Sequence, residues 1–129
     1  MATPFRLFDH VDIRVRDLVA VRDFYDGFMK ALGLRNVPFE GAVRVYLRLV
    51  DGKSHEAVAV VQEAAHVPSF VRIAFAAPSR EEVDRLATAA MNAGARNLEG
   101  PMLCPEYTDD YYAAFFDDPD GNRLEICSR

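Results

Sequence analysis

The sequence has little cysteine, no tryptophan and no long apolar run. Its 129 residues include 2 cysteines, Cys104 and Cys127, and 0 tryptophans. The two thiols lack Cys-x-x-Cys spacing and are too few for a disulfide framework, so both are predicted to be free. Apolar runs reach only strand length, which argues against a membrane-spanning helix. Residues 1–7 lack the features of a secretory leader, and the chain is therefore expected in the cytoplasm.

Positive charge is also scarce. The 15 Lys and Arg residues stand against 20 Asp and Glu residues, which gives a net charge of −5. No basic run is present, so neither nucleic acid nor an anionic membrane surface is an expected partner. Half of the residues are hydrophobic, as in folded proteins, and the length suits one domain over residues 1–129.

Alternation and helix signals occur twice along the chain. In each half a strand with apolar and polar residues in alternation precedes a capped helix that ends at a glycine. The first strand is centred on Ile13 and the second on Ile73. The caps are Asp17 and Ser79, and the helix-ending glycines are Gly33 and Gly94.

The spacing of these signals predicts an internal repeat. Asp17 and Ser79 are 62 residues apart (79 − 17), as are His10 and Arg72 (72 − 10). The predicted fold is α+β, with two βαβββ modules over residues of about 6–62 and 70–128. Counting from the turn glycines Gly52 and Gly121 makes Glu56 the counterpart of Glu125, since each lies four residues after its glycine.

The final hairpin organises the expected site. Pro119, Asp120 and Gly121 predict a turn, and the strand after it places Glu125 on a polar face. A carboxylate directed at an interior surface needs a cation, a metal or a ligand. We expect both sheets to turn their polar faces into one open, barrel-like cavity. Period-two alternation assigns to that face His10, Asp12, Arg14, Arg44, Tyr46, Arg48, Glu56, Arg72, Arg123 and Glu125.

The sequence resembles the vicinal oxygen chelate superfamily, the group of glyoxalases, bleomycin-resistance proteins and extradiol dioxygenases. The resemblance extends from about Phe8 to Cys127. It is carried by Asp9-His10-Val11, Arg14-Val15-Arg16-Asp17, Phe24-Tyr25, Ile73-Ala74-Phe75, Tyr111-Tyr112-Ala113-Ala114-Phe115 and the segment Asp118-Pro119-Asp120-Gly121-Asn122-Arg123-Leu124-Glu125. The last segment is the most specific. The resemblance implies a divalent metal that chelates adjacent oxygens of a substrate and acts as a Lewis acid.

The metal ligands that the resemblance implies are His10, Glu125 and, by repeat offset alone, Glu56. Arg72 stands where the family has its second histidine, and a guanidinium does not ligate metals. Two alternatives follow. His10 and the two glutamates, with waters, bind Mg, Mn, Fe, Ni or Zn, with Mg or Mn suiting the oxygen ligands best. Otherwise Arg72 replaces the metal and either bridges the carboxylates or binds an anionic group.

The resemblance implies a glyoxalase-like enzyme, a lyase or isomerase or a dioxygenase relative, that acts on a small molecule with adjacent oxygens. Glu125 and His10 are the candidate catalytic residues. The candidate substrate-binding residues are Arg72, Tyr46, Arg48 and Tyr111. The alternative is a non-catalytic protein that sequesters a small molecule, as bleomycin-resistance proteins do. In either case the resemblance implies a homodimer.

Overall fold

The computed structural model describes residues 5–129 of the chain. Residues 1–4 lie outside the described part, so the expectation that residues 1–7 carry no leader falls largely outside it as well. None of the helices formed by residues 5–129 is both long and apolar enough to cross a membrane.

The first module contains one helix and four strands. The helix α1 begins after the N-cap Asp17, whose side chain accepts a hydrogen bond from the backbone N–H of Val19. Gly33, at φ +89°, follows the helix, where a left-handed conformation favours glycine. The elements are β1 His10–Val15, α1 Leu18–Ala31, β2 Arg35–Val37, β3 Val43–Val50 and β4 Lys53–Gln62.

The second module repeats this order. Its helix α2 is capped by Ser79, whose hydroxyl accepts from the backbone N–H of Glu82, and ends at Gly94 with φ +117°. The elements are β5 Arg72–Ala76, α2 Arg80–Ala93, β6 Arg96–Leu103, β7 Tyr112–Asp117 and β8 Arg123–Ser128. β6 pairs with β7 and continues past Gly100 to Leu103.

The strand order is the same in both modules. The sheets are ordered β1-β4-β3-β2 and β5-β8-β7-β6, with the first strand of each module parallel to the last. The predicted α+β architecture of two βαβββ modules is therefore confirmed. The two sheets remain separate, so the enclosed space is an open cleft and not a closed barrel.

One apolar core joins the two modules. Both helices contribute their buried stripes, and the aromatic rings of Phe24, Phe28, Phe75 and Phe116 meet edge to face or stacked between them. The helices α1 and α2 pack against each other. A Cβ atom at Gly27 would lie 3.0 Å from the Cβ of Ala93, so the glycine permits this close approach.

The turn between β7 and β8 is the second connection between the modules. Asp118, fully buried, accepts the Tyr25 hydroxyl of α1 at 2.5 Å and the backbone N–H groups of Asp120 and Asn122. Burial and the Asp118 carboxylate raise the pKa of Tyr25, which keeps the phenol a donor. Arg16 donates to the Asp120 carboxylate at 2.9 Å. The turn of the second module is thus bonded to the first module.

Candidate ligand-binding cleft

The edge strands β1 and β5 lie on either side of a cleft of about 750 Å³. The first module contributes residues from β1, β4 and the segment after α1, and the second module contributes β5. The lining residues are Phe8, Asp9, His10, Val11, Leu32, Leu34, Arg48, Glu56, Ala57, Val58, Arg72, Ile73, Ala74, Phe75, Ala76 and Pro78. The lining is mostly apolar with a few charged groups, as in small-molecule sites.

His10 is at the first-module side of the cleft. Its Nδ1 lies 3.0 Å from a carboxylate oxygen of Asp9. This hydrogen bond, with the charge of Asp12, raises the pKa of His10 above its ordinary value of 6.5. His10 is solvent-exposed, so a ligand in the cleft has access to its imidazole.

Arg72 is at the second-module side of the cleft. Its Cζ lies 4.8 Å from the ring centroid of Phe115, and its Cα partner on β8 is Arg123. Both arginines are on the face of the second sheet that is turned away from α2, which we call the inner face of the module. Among residues 5–129, no carboxylate oxygen lies within 4.0 Å of the Arg72 guanidinium. Arg72 therefore does not bridge Glu56 and Glu125.

Glu125 is buried on the inner face of the second module, with 5% of its surface exposed. Its carboxylate accepts a short hydrogen bond from the Tyr111 hydroxyl. Burial, together with Cys127 and Glu125, raises the pKa of Tyr111, so the phenol remains the donor. Neither residue lines the cleft directly, but Glu125 is a Cα partner of Ala74, which does.

The structure corrects the inner-face prediction for Arg48 and Glu56. Arg48 and Glu56 are Cα partners on β3 and β4, and the adjacent Ala57 is the partner of His10. Because successive residues point to opposite faces, Glu56 is on the side opposite to His10. Its carboxylate accepts from Arg48 at 2.6 Å in an exposed ion pair at the rim of the cleft. The structure therefore does not bring Glu56 together with Glu125.

Tyr46 and Arg44 are also on the helix side of the first sheet, and their predicted inner-face position is wrong. Tyr46 has 1% of its surface exposed and donates to Asp26 of α1 at 2.7 Å. Arg44 binds the same carboxylate through two nitrogens, at 2.7 and 2.9 Å. Arg44 and Tyr46 can face the helix because the Asp26 carboxylate accepts their hydrogen bonds. Tyr46 is thus not available to a ligand in the cleft.

The register of the sheets also corrects the counterpart of Glu125. Arg72 and Ala74 have the Cα partners Arg123 and Glu125, whereas His10 and Asp12 have Ala57 and Ala59. With His10 equivalent to Arg72, Glu125 corresponds to Ala59 and not to Glu56. Counting from the turn glycines was misleading because the β7–β8 turn is longer than the β3–β4 turn.

The residues present do not fit a resident divalent metal within one chain. Of the three implied ligands, Glu56 is on the far side of its sheet, Glu125 is bonded to Tyr111, and Arg72 occupies the position of a further ligand. Residues 5–129 contain no group of three or more His, Cys, Asp and Glu side chains placed to hold a metal ion. A guanidinium close to a divalent ion adds repulsion.

Two inner-face residues were not predicted as site residues. Phe115 lies under Arg72, and Arg123 lies beside it with its Cζ 4.6 Å from the Phe70 ring centroid. Alternation places Arg123 on the inner face, but the sequence has no signal for its neighbours on other strands. The aromatic partners become apparent only from the register of β5, β7 and β8.

Comparison with known proteins supports the family resemblance that the sequence and the fold suggest. Residues 7–126 match the Glyoxalase/Bleomycin resistance protein/Dioxygenase superfamily. The chain belongs to this superfamily, whose members typically bind divalent metals and small molecules. No curated protein sequence matches the chain.

Solved structures share the fold over nearly the whole chain. A glyoxalase/bleomycin resistance protein from Albidiferax ferrireducens T118 is 25% identical, with a TM-score of 0.76 over 96% of this chain and 99% of its own. The fosfomycin resistance protein FosX from Mesorhizobium loti is 20% identical, with a TM-score of 0.67 over 98% and 94%. A glyoxalase/bleomycin resistance protein/dioxygenase family enzyme from Burkholderia phytofirmans PsJN is 22% identical, with a TM-score of 0.69 over 93% and 96%.

Proposed function

We propose that the chain binds a small organic molecule in the cleft between β1 and β5, without a resident metal. The cleft volume of about 750 Å³ is within the range of small-molecule sites. Apolar side chains of both modules provide most of its surface. His10 and Arg72, on opposite sides, provide polar groups that fix the orientation of a ligand.

The observation that carries the proposal is the state of Arg72. Arg72 is solvent-exposed, so its guanidinium is open to a ligand with no ion pair to break within the described part of the chain. Arg72 lines the cleft, is in contact with Phe115 and has no carboxylate partner among residues 5–129. A ligand that meets this guanidinium would complete its hydrogen bonding.

Ligand-observed NMR with small molecules that carry adjacent oxygens, such as 2-oxo acids, 2-hydroxy ketones and catechols, tests the proposal. The matched variants are Ala74→Trp, which fills the cleft without changing a charge, and Ala64→Trp, which places the same ring at an exposed site outside the lining. We expect wild type and A64W to bind members of the set and A74W to lose them. Equal binding by all three proteins would show that ligands do not occupy the cleft.

A glyoxalase-like lyase or isomerase is the second candidate. The buried Glu125 favours it, because a carboxylate with little solvent exposure is a typical general base, and Glu125 lies on the strand next to the cleft-lining Ala74, where a substrate that extends onto the inner face would meet it. In this reading His10 acts as the acid/base on the other side of the cleft, and Arg72 binds a negatively charged oxygen.

Turnover of the ligands found by NMR separates the two candidates. For an enzyme, Glu125→Gln lowers kcat by about 10²–10⁴-fold with little change in ligand binding, which is the typical effect of losing a general acid or base. Metal analysis of protein purified without chelators is the second readout. Stoichiometric Mg, Mn, Fe, Ni or Zn that is lost in His10→Ala would support a metal enzyme and contradict the metal-free cleft.

We include a homodimer in the proposal. The aromatic residues Phe5, Phe8 and Phe70, exposed at 94, 72 and 84%, precede the first strand of each module, and Phe8 lines the cleft. Sedimentation equilibrium tests this part. A mass of one chain at all concentrations would contradict it, without affecting ligand binding.

A further inference from the structure

We propose that Arg72 and Arg123 together bind one oxyanion, a carboxylate or phosphoryl group of the ligand, on the inner face of the second module. The inference rests on the proposed function and adds the chemical class of the ligand. It also gives a binding role to Arg123, which does not line the cleft itself.

The register places the Cα atoms of the two arginines side by side. Arg72 on β5 and Arg123 on β8 are Cα partners in a parallel pair, so both side chains leave the same face of the sheet. Neighbouring strands are about 4.8 Å apart. Long side chains that start from neighbouring strands on one face can converge on a single carboxylate or phosphoryl group, for which arginine has the best-matched geometry.

Aromatic rings, and not carboxylates, hold these two arginines. The Cζ of Arg72 lies 4.8 Å from the Phe115 ring centroid, and the Cζ of Arg123 lies 4.6 Å from that of Phe70. A ring contacts the flat face of a guanidinium and leaves its N–H edge available. By contrast, seven other arginines form ion pairs within 4.0 Å of a carboxylate: Arg6, Arg14, Arg16, Arg22, Arg44, Arg48 and Arg85.

The acidic groups next to the two arginines are bonded to neutral donors. Asp117 is the Cα partner of Arg123 on β7, yet its carboxylate accepts from the Asn97 amide at 2.9 Å. Glu125 accepts from the Tyr111 hydroxyl. Neither carboxylate is within 4.0 Å of Arg72 or Arg123. Among the described residues, neither arginine therefore has an ion pair that a bound oxyanion would have to displace.

Titration calorimetry with inorganic phosphate and with malonate, at constant ionic strength, tests the site. The variants are Arg72→Gln, Arg123→Gln and Arg123→Lys, and Arg35→Gln is the matched control. Arg35 is an exposed strand arginine of the first module and forms no ion pair among the described residues. Circular dichroism verifies that each variant is folded.

We expect wild type and R35Q to bind both anions with the same affinity. R72Q and R123Q lower the association constant by at least about fivefold, since each removes one charged fork. R123K has an intermediate affinity, because it keeps the charge without the bidentate geometry. Equal binding by R35Q and R123Q, or no binding by wild type, would overturn the proposal.

A second copy of the chain is the other possible source of a carboxylate. If R123Q lowers the dimer fraction in sedimentation while wild type binds no phosphate, the arginines meet a partner's acid and the proposal is wrong. The proposed function is judged separately by neutral ligands. If these bind wild type and not A74W, the cleft is a binding site even when the anion site fails.

Discussion

The two modules share one topology but present different chemistry on their inner faces. The first has a titratable His10 in front of small and apolar residues, with Ala59 and Val45 in the central row. The second has Arg72, a buried Glu125 and Phe115 in the equivalent rows. The two modules thus share a backbone frame but present different side chains on their inner faces.

The polar residues of the middle strands show the same difference. In the first module, Arg44 and Tyr46 of β3 are turned towards α1 and bonded to Asp26. In the second module, Ala114 and Phe116 of β7 are buried in the core against α2. The charged and polar residues that line the cleft are Asp9, His10, Arg48 and Glu56 of the first module and Arg72 of the second.

The largest effect is expected where the second module is bonded to the first. Asp118→Asn removes the fully buried charge that accepts from Tyr25 and from two backbone N–H groups, and leaves an amide donor facing those donors. We expect a loss of about 3–5 kcal/mol in the free energy of unfolding, since several hydrogen bonds to a charged group are weakened and each contributes about 1.5–3 kcal/mol. Urea denaturation measures it. The control is Asp109→Asn at an exposed loop position, and equal losses in both variants would contradict this role of the turn.

The helix contact between the modules should contribute less. Gly27→Leu adds a branched side chain at a position where a Cβ atom alone would lie 3.0 Å from the Cβ of Ala93. We expect a loss of about 1–3 kcal/mol, which is typical of overpacking. The matched control is Ala20→Leu, at an exposed position of the same helix. If both variants lose the same free energy of unfolding, the close contact between α1 and α2 at Gly27 does not contribute to stability.

Acid should weaken the first module through Asp26. Burial raises the pKa of this carboxyl, but hydrogen bonds from Arg44 and Tyr46 outweigh it, so the pKa lies below its ordinary value of 3.8. A lowered folded pKa adds stability that is complete above 3.8 and is lost as the pH falls through the lower folded value. The difference in urea midpoint between wild type and Arg44→Gln should therefore shrink on acidification. For Arg35→Gln, any difference should not change with pH.

The smallest expected effect concerns His10. Its counterpart in the second module is Arg72, which is permanently charged. Asp9→Asn removes the hydrogen bond that raises the pKa of His10, so the pKa should fall towards 6.5. Titration of the His10 ring signals by NMR measures the shift, and His55, in the β4 strand, is the internal reference. An unchanged His10 titration in D9N would show that Asp9 does not favour the imidazolium.

Much of the fold was accessible from the sequence because local signals agreed with one another. Alternation located the strands, and Asp17 and Ser79 are observed as the helix caps. Their spacing revealed the repeat, since two modules with one topology need similar distances between equivalent points.

The site was less accessible because alternation defines two faces of a strand without saying which one meets the helix. The arginines and tyrosine of β3 were assigned to the cleft, whereas Asp26 satisfies Arg44 and Tyr46 on the helix side. The prediction for Glu56 was wrong for another reason. Turn glycines are poor reference points when the turns differ in length, and only the register of paired strands shows that Ala59 corresponds to Glu125.

The β7–β8 turn also has a consequence for synthesis of the chain. Arg16 and Asp120 are 104 residues apart, and the Asn122 amide donates to the backbone carbonyl of Arg14 across 108 residues. Such distant partners meet only after the β7–β8 turn has been synthesised and has left the ribosome tunnel. Until α2 and this turn are available, the side of α1 that packs against them has no partner from the second module.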